Sequence, residues 1–147
     1  MLTIEQINSA TDFKNLSRED LIEFLFKHLD RFGDSKEAIG KSIDYAFSDQ
    51  EGKGGFILTG YLNNQLVGVV IMNRTGMDGY IPENILVYIA VDAAKRGNGI
   101  GKQLMEAAID RSQGDIALHV EYDNPAKRLY ERIGFGSKYA EMRFYKK

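Results

Sequence analysis

Apolar residues fall into two rhythms along this chain, and each change of rhythm marks an element. Leu2, Ile4 and Ile7 alternate loosely and predict a short first strand over residues 2–8. Ser17, with Asp20 three positions on, resembles a capping box with a shortened acid. Leu21, Ile22, Leu25, Phe26 and Leu29 then recur at helical spacing. A second helix is predicted from Asp34-Ser35, with Ile39, Ile43, Ala46 and Phe47 on one face, and the glycines from Gly52 to Gly55 break it. Phe56 to Leu62 reads as a strand, Asn63-Asn64 as a two-residue turn, and Leu66 to Met72 as the hairpin partner. After a turn-rich loop from Thr75 to Asn84, Ile85 to Val91 is an unbroken apolar run of strand length, expected to be buried on both faces.

The second half alternates helix with strand. Ile100, Leu104, Ala107 and Ala108 predict a helix that stops before Gly114. Ile116 to Tyr122 is a further strand, and Pro125 to Ile133 a helix with Asn124 and Pro125 at its cap positions. Gly134 ends that helix, and Met142 and Phe144 alternate with charges to predict a last strand from Ala140 to Lys146. Strands 85–91 and 116–122 flank a helix, so a right-handed βαβ unit with parallel strands is expected. The earlier hairpin is antiparallel. The predicted class is α/β (α+β): a mixed, mostly antiparallel sheet with helices on both faces.

Composition narrows the function. The chain's 147 residues suit one domain, 1–147, and 44% hydrophobic with 27% charged residues suits a soluble globular fold. A net charge of −2 and a pI near 5.7 leave no basic footprint for nucleic acid or for an anionic membrane. There is no cysteine, which removes disulfides, thiolate metal sites and any acyl-cysteine intermediate. With His28 and His119 the only histidines, no metal is expected either. Apolar runs fall short of the ~20 residues that span a bilayer, and Met1-Leu2-Thr3-Ile4-Glu5 lacks signal-peptide character, so a cytoplasmic location is expected.

Candidate chemistry lies between Ile85 and Phe135. Arg96-Gly97-Asn98-Gly99-Ile100-Gly101 is a glycine-rich turn between an apolar strand and a helix. Missing side chains admit a ligand to the backbone, and successive N–H groups at a helix start attract a phosphate. A tight strand-to-helix turn alone also explains the glycines. A P-loop fails, because Arg96 stands five before Gly101 and Gln103 follows Lys102. A dinucleotide fingerprint fails, because Gly97, Gly99 and Gly101 are spaced by two throughout.

The turn resembles the acyl-CoA motif Q/R-x-x-G-x-G/A of the GNAT family of N-acetyltransferases, here preceded by Ile89-Ala90-Val91-Asp92. A second block resembles the family in order and distance: Leu118-x-Val120, then Asn124-x-Ala126-x-x-Leu129-Tyr130-Glu131-x-x-Gly134-Phe135. The resemblance covers roughly residues 54 to 147. It implies the acyl-CoA N-acyltransferase fold, in which the fourth and fifth strands splay apart and acetyl-CoA is the co-substrate. The pantetheine arm would lie in the gap against Ile89, Ala90 and Val91, and the pyrophosphate on the amides of Arg96, Gly97, Asn98, Gly99, Ile100, Gly101 and Lys102. Asn124 resembles the family asparagine that contacts the cofactor, and it is equally a helix cap. Lys127 and Arg128 either reach the adenosine 3′-phosphate or form a solvated helix face.

The same resemblance implies direct attack of an amine on the thioester in a ternary complex, with a fourth-strand amide near Ile89 as oxyanion donor. Tyr130 matches the tyrosine that protonates the leaving thiolate. Some members carry a glutamate base early in the fourth strand, where Ile85 stands here; others carry one in the fifth strand, where His119 stands. Histidine's ordinary pKa suits neutral pH. A half-buried structural role for His119, and Glu83, Glu121 or water as base, remain alternatives. The acceptor, a small-molecule or peptide amine, is expected between the first two helices, the Thr75–Asn84 loop and the last hairpin, near Asp30, Asp34, Asp78, Glu83 and Tyr80. A non-catalytic acyl-CoA-sensing module is the alternative function, and a monomer or homodimer the expected assembly.

Overall fold

Helix starts follow their capping residues. The Asp20 N–H donates to Ser17 Oγ at 3.1 Å and the Ser17 N–H to the Asp20 carboxylate at 2.9 Å, so the predicted box opens α1 (Arg18–Leu29). Ser35 opens α2 (Lys36–Ala46) by accepting from Ala38 N–H at 3.1 Å. Asn63 and Asn64 both take positive φ, 50° and 64°, which makes the two-residue hairpin turn between β2 (Gly55–Leu62) and β3 (Gln65–Arg74). The computed structural model describes residues 1–146. Its remaining strands and α-helices are β1 (Thr3–Ile7), β4 (Asn84–Val91), α3 (Ile100–Arg111), β5 (Ile116–Leu118) and α4 (Ala126–Ile133), with short 3-10 turns at Ala10–Asp12, Asp30–Phe32 and Ala93–Lys95.

The sheet runs in the order β1-β2-β3-β4-β5, antiparallel throughout except for the parallel β4–β5 pair that α3 connects. Each face buries its own core. Leu21, Leu25, Ile39 and Ile43 of α1 and α2 pack on Ile57, Val69 and Ile71. Leu104, Met105 and Ala108 of α3 pack on Leu58, Val67 and Val70, with Tyr130 of α4 in the same cluster. Each such apolar side chain withdrawn from water contributes about 1.5–3 kcal/mol. The expected mixed sheet with helices on both faces is what forms.

Two features of β4 matter for function. Ile71 faces Tyr88 while Met72 faces Leu86, so Val87 is an extra, bulged residue. Pairing with β5 stops at the same place: Asn84–Ile116, Ile85–Ala117 and Leu86–Leu118 are partners, and nothing beyond. The run from Val87 to Val91 therefore keeps β3 on one side and no strand on the other. Its side chains alternate between fully and partly covered, rather than being buried on both faces as the apolar run suggests.

Three expectations need correction. The strand predicted over 116–122 ends at Leu118, because β4 has diverged and no ladder partner continues. The last strand predicted over Ala140–Lys146 does not form; Tyr139, Met142 and Phe144 are 82%, 89% and 90% exposed, since a strand pattern needs an edge to pair with. In α1 the sequence pattern buries Phe26, whereas the fold exposes it and buries His28.

Candidate active site

The glycine-rich turn stands at the open end of β4. Gly97 and Gly99 hold positive φ, 84° and 78°, a backbone that L side chains rarely adopt, and a Cβ built on either meets nothing within 4 Å. Gly99 is the N-cap of α3, with no side-chain cap and no acid in the first turn. The first helical bond runs from Gln103 N–H to Gly99 O at 3.1 Å, which leaves the Ile100, Gly101 and Lys102 amides without helical acceptors. An uncapped, acid-free helix start under open space fits a phosphate. Gly101 has a different task. A Cβ there would stand 3.3 Å from Leu129 Cδ2, so this glycine lets α3 approach α4.

The open edge of β4 lies beside it. The Asp92 N–H donates to Val67 O at 2.8 Å. Counting back along an antiparallel ladder, Ala90 and Tyr88 spend their main-chain groups on β3, while Ile89 and Val91 turn theirs to the gap. Ala90, expected against a cofactor, is thus occupied by Val69. The Val91 carbonyl accepts from Arg96 Nε at 3.3 Å, and Asn98 Nδ2 donates to Lys95 O at 2.9 Å. Of the predicted turn residues, Arg96 and Asn98 therefore use their side chains to build the turn.

The flanks of the gap differ in chemistry. On the α3/α4 face Tyr130 is buried edge-on to Phe135, ring centroids 6.2 Å apart, and burial pushes its phenol up to about 12. Asn124 Oδ1 accepts from Ala126 N–H at 2.9 Å, one residue ahead of the N-cap Pro125, and its Nδ2 is not needed for that bond. Lys127 pairs with Glu131 at 3.0 Å across one helical turn.

On the α1/α2 face the Tyr88 hydroxyl donates to Asp34 Oδ2 at 2.5 Å, and burial with that carboxylate pushes the phenol up. Arg31 pairs with Asp123 at 3.1 Å, joining the turn after α1 to the turn after β5. His119 lies just past the end of β5, after Leu118 that packs with α3 and α4, and its imidazole is exposed.

The loop expected at the acceptor side lies elsewhere. Asn84 begins β4, and five residues at roughly 3.3 Å each put it about 16 Å from Ile89. Glu83 accepts from Asp115 N–H at 2.7 Å and Gly79 N–H at 3.2 Å, bonds that hold its carboxyl below the ordinary range. With both oxygens engaged at the far end of the sheet, Glu83 is no base for this gap, and Asp78 borders the same distant cleft. Sequence reasoning missed His28, whose only local signal is a polar residue on an apolar helix face.

Comparison with known proteins gives the family of this fold. The sequence pattern described as "Acetyltransferase (GNAT) family" matches residues 13–135. N-alpha-acetyltransferase 30 of Saccharomyces cerevisiae is 31% identical over 147 aligned positions, covering 84% of this chain and 82% of that protein. Mycothiol acetyltransferase of Catenulispora acidiphila is 33% identical over 72 positions, 46% of this chain, and the chain spans only 22% of its length. A solved aminoglycoside N-acetyltransferase in complex with CoA superposes with a TM-score of 0.68 at 16% identity, covering 100% of this chain and 95% of that one. The chain belongs to the GNAT family of acetyltransferases.

Proposed function

We propose that residues 1–147 form one N-acetyltransferase domain that moves an acetyl group from acetyl-CoA to a primary amine, with both substrates bound together. The observation that carries this reading is a coincidence of place. The strand edge opened at Val87 and the uncapped start of α3 lie at the same end of the sheet. Acetyl-CoA supplies the activated acyl carbon. Ile89 offers its N–H and carbonyl and Val91 its N–H along the pantetheine arm, the Val91 carbonyl being taken by Arg96, and the Gly99–Lys102 amides receive the pyrophosphate. The Ile89 N–H is the candidate donor to the developing oxyanion.

Tyr130 donates toward the departing sulfur, while His119 takes the ammonium proton. As the C–N bond forms, the C–S bond breaks, and the proton lost by nitrogen is balanced by the one gained at sulfur. The resemblance to a yeast Nα-acetyltransferase favours the α-amino group of a peptide as acceptor. Its ordinary pKa of ≈ 7.7–8.0 leaves an appreciable neutral fraction at pH 7, so a modest base suffices.

Calorimetric titration with CoA tests the site. Wild type should bind, and Gly99→Glu should not, because a carboxylate would occupy the phosphate's space. The left-handed backbone at Gly99 adds a folding penalty of roughly 1–2 kcal/mol, small enough to leave a folded protein for the titration. Unchanged affinity in folded Gly99→Glu would show that the turn is structural only.

A further inference from the structure

His28 bonds the turn after β4 through both its side chain and its main chain. Its ring is buried on α1, tilted against Phe24 with centroids 4.5 Å apart. The Ala93 N–H donates to Nδ1 at 3.1 Å, and Arg96 Nη2 donates to the His28 carbonyl at 2.5 Å. That carbonyl belongs to the last turn of α1, where carbonyls lack helical donors and the dipole favours a cation. The guanidinium also donates to Val91 O at 3.3 Å, so it ties the end of β4 to the end of α1.

We propose that His28 is a positioning residue for cofactor binding: its Nδ1 and carbonyl hold the Ala93–Arg96 turn in the register that presents the Gly99–Lys102 amides, and protonation of the ring releases that turn. The inference rests on the reading that those amides receive the pyrophosphate. An amide N–H can only donate, so Nδ1 must keep its lone pair and the ring proton must sit on Nε2. An imidazolium would set one N–H against another and lose the bond. Burial holds the ring neutral to below histidine's ordinary range, with Lys27 and Arg96 acting in the same direction and Asp92 against them.

The test is CoA titration of wild type, His28→Leu and His28→Asn at about pH 7.5 and at steps down to about pH 4.5, well below histidine's ordinary range because burial lowers this ring's pKa. Leucine fills the space without an acceptor. Asparagine places Oδ1 where Nδ1 stood and does not titrate. CoA's own phosphate changes charge near pH 6, so the comparison that decides is wild type against His28→Asn. We expect His28→Leu to weaken CoA binding about five- to tenfold at the higher pH. His28→Asn should match wild type there and lose less affinity at the lower pH. Wild-type affinity in folded His28→Leu, or an equal acid loss in wild type and His28→Asn, would overturn the role of His28. If His28→Leu does not fold, the asparagine comparison alone decides. Failure of wild type to bind CoA would overturn the cofactor reading and this inference with it.

Discussion

Tyr130 is held where a phenol is least acidic. Burial lifts it to about 12, so it stays protonated through neutral pH and is always able to donate. Full transfer to a thiolate, a weaker base than this buried phenolate, would be uphill. In the proposed mechanism its service is therefore a hydrogen bond that strengthens as charge collects on sulfur. Tyr130→Phe keeps the ring and its edge-on packing with Phe135. We expect kcat to fall by about a hundredfold while KM for acetyl-CoA changes little, as read by single-turnover acetyl transfer. Chemistry as fast as wild type would remove Tyr130 from the proton path. His119 presents the reverse case: it is exposed and outside any strand, and its part as base belongs to the proposal.

At the scale of elements, local signals were legible and partnerships were not. The Ser17 and Ser35 caps, the Asn63-Asn64 turn and the start of α3 are written in neighbouring residues, and each formed where the pattern placed it. The end of β5 at Leu118 depends on β4 turning away, and the tail's failure to pair depends on an edge too short to receive it. Neither is visible in a periodicity. The bulge at Val87 and the reach of His28 to a turn 65 residues on are long-range in the same sense. Within the glycine-rich turn the sequence treats three glycines alike, whereas the fold separates them. Gly101→Leu should crowd Leu129 and part α4 from α3, costing roughly 1–3 kcal/mol. That corresponds to a melting temperature lower by several degrees, which scanning calorimetry would read, with Gly101→Ala close to wild type. A Gly101→Leu variant that melts like wild type and only loses CoA would show that the missing side chain at Gly101 serves the cofactor rather than the α3–α4 contact.

For the whole molecule, acid should act in two stages. The folded state holds His28 below its ordinary pKa, so the unfolded chain takes up that proton first. His28's contribution to stability is therefore complete above about pH 6.5 and is lost as pH falls. Glu83, held below 4.5 by the Asp115 and Gly79 amides, contributes above that value and is lost at lower pH. Melting temperature measured against pH should decline from about pH 6.5 and again below about pH 4.5, and Glu83→Gln should lack the lower step. A lower step unchanged in Glu83→Gln would assign it to another carboxyl. The Glu83 stage leaves the account of catalysis untouched, because Glu83 lies at the far end of the sheet. Catalysis itself is tested most directly by free-thiol release from acetyl-CoA. The acceptors should be peptides with a free α-amino group, polyamines and aminoglycosides, with the product's mass measured in parallel. The account predicts thiol released in step with a single acetyl group on nitrogen of at least one amine, and none with an N-acetylated peptide. CoA bound at the glycine-rich turn with no thiol released on any amine would contradict it, and would make the chain a sensor rather than an enzyme.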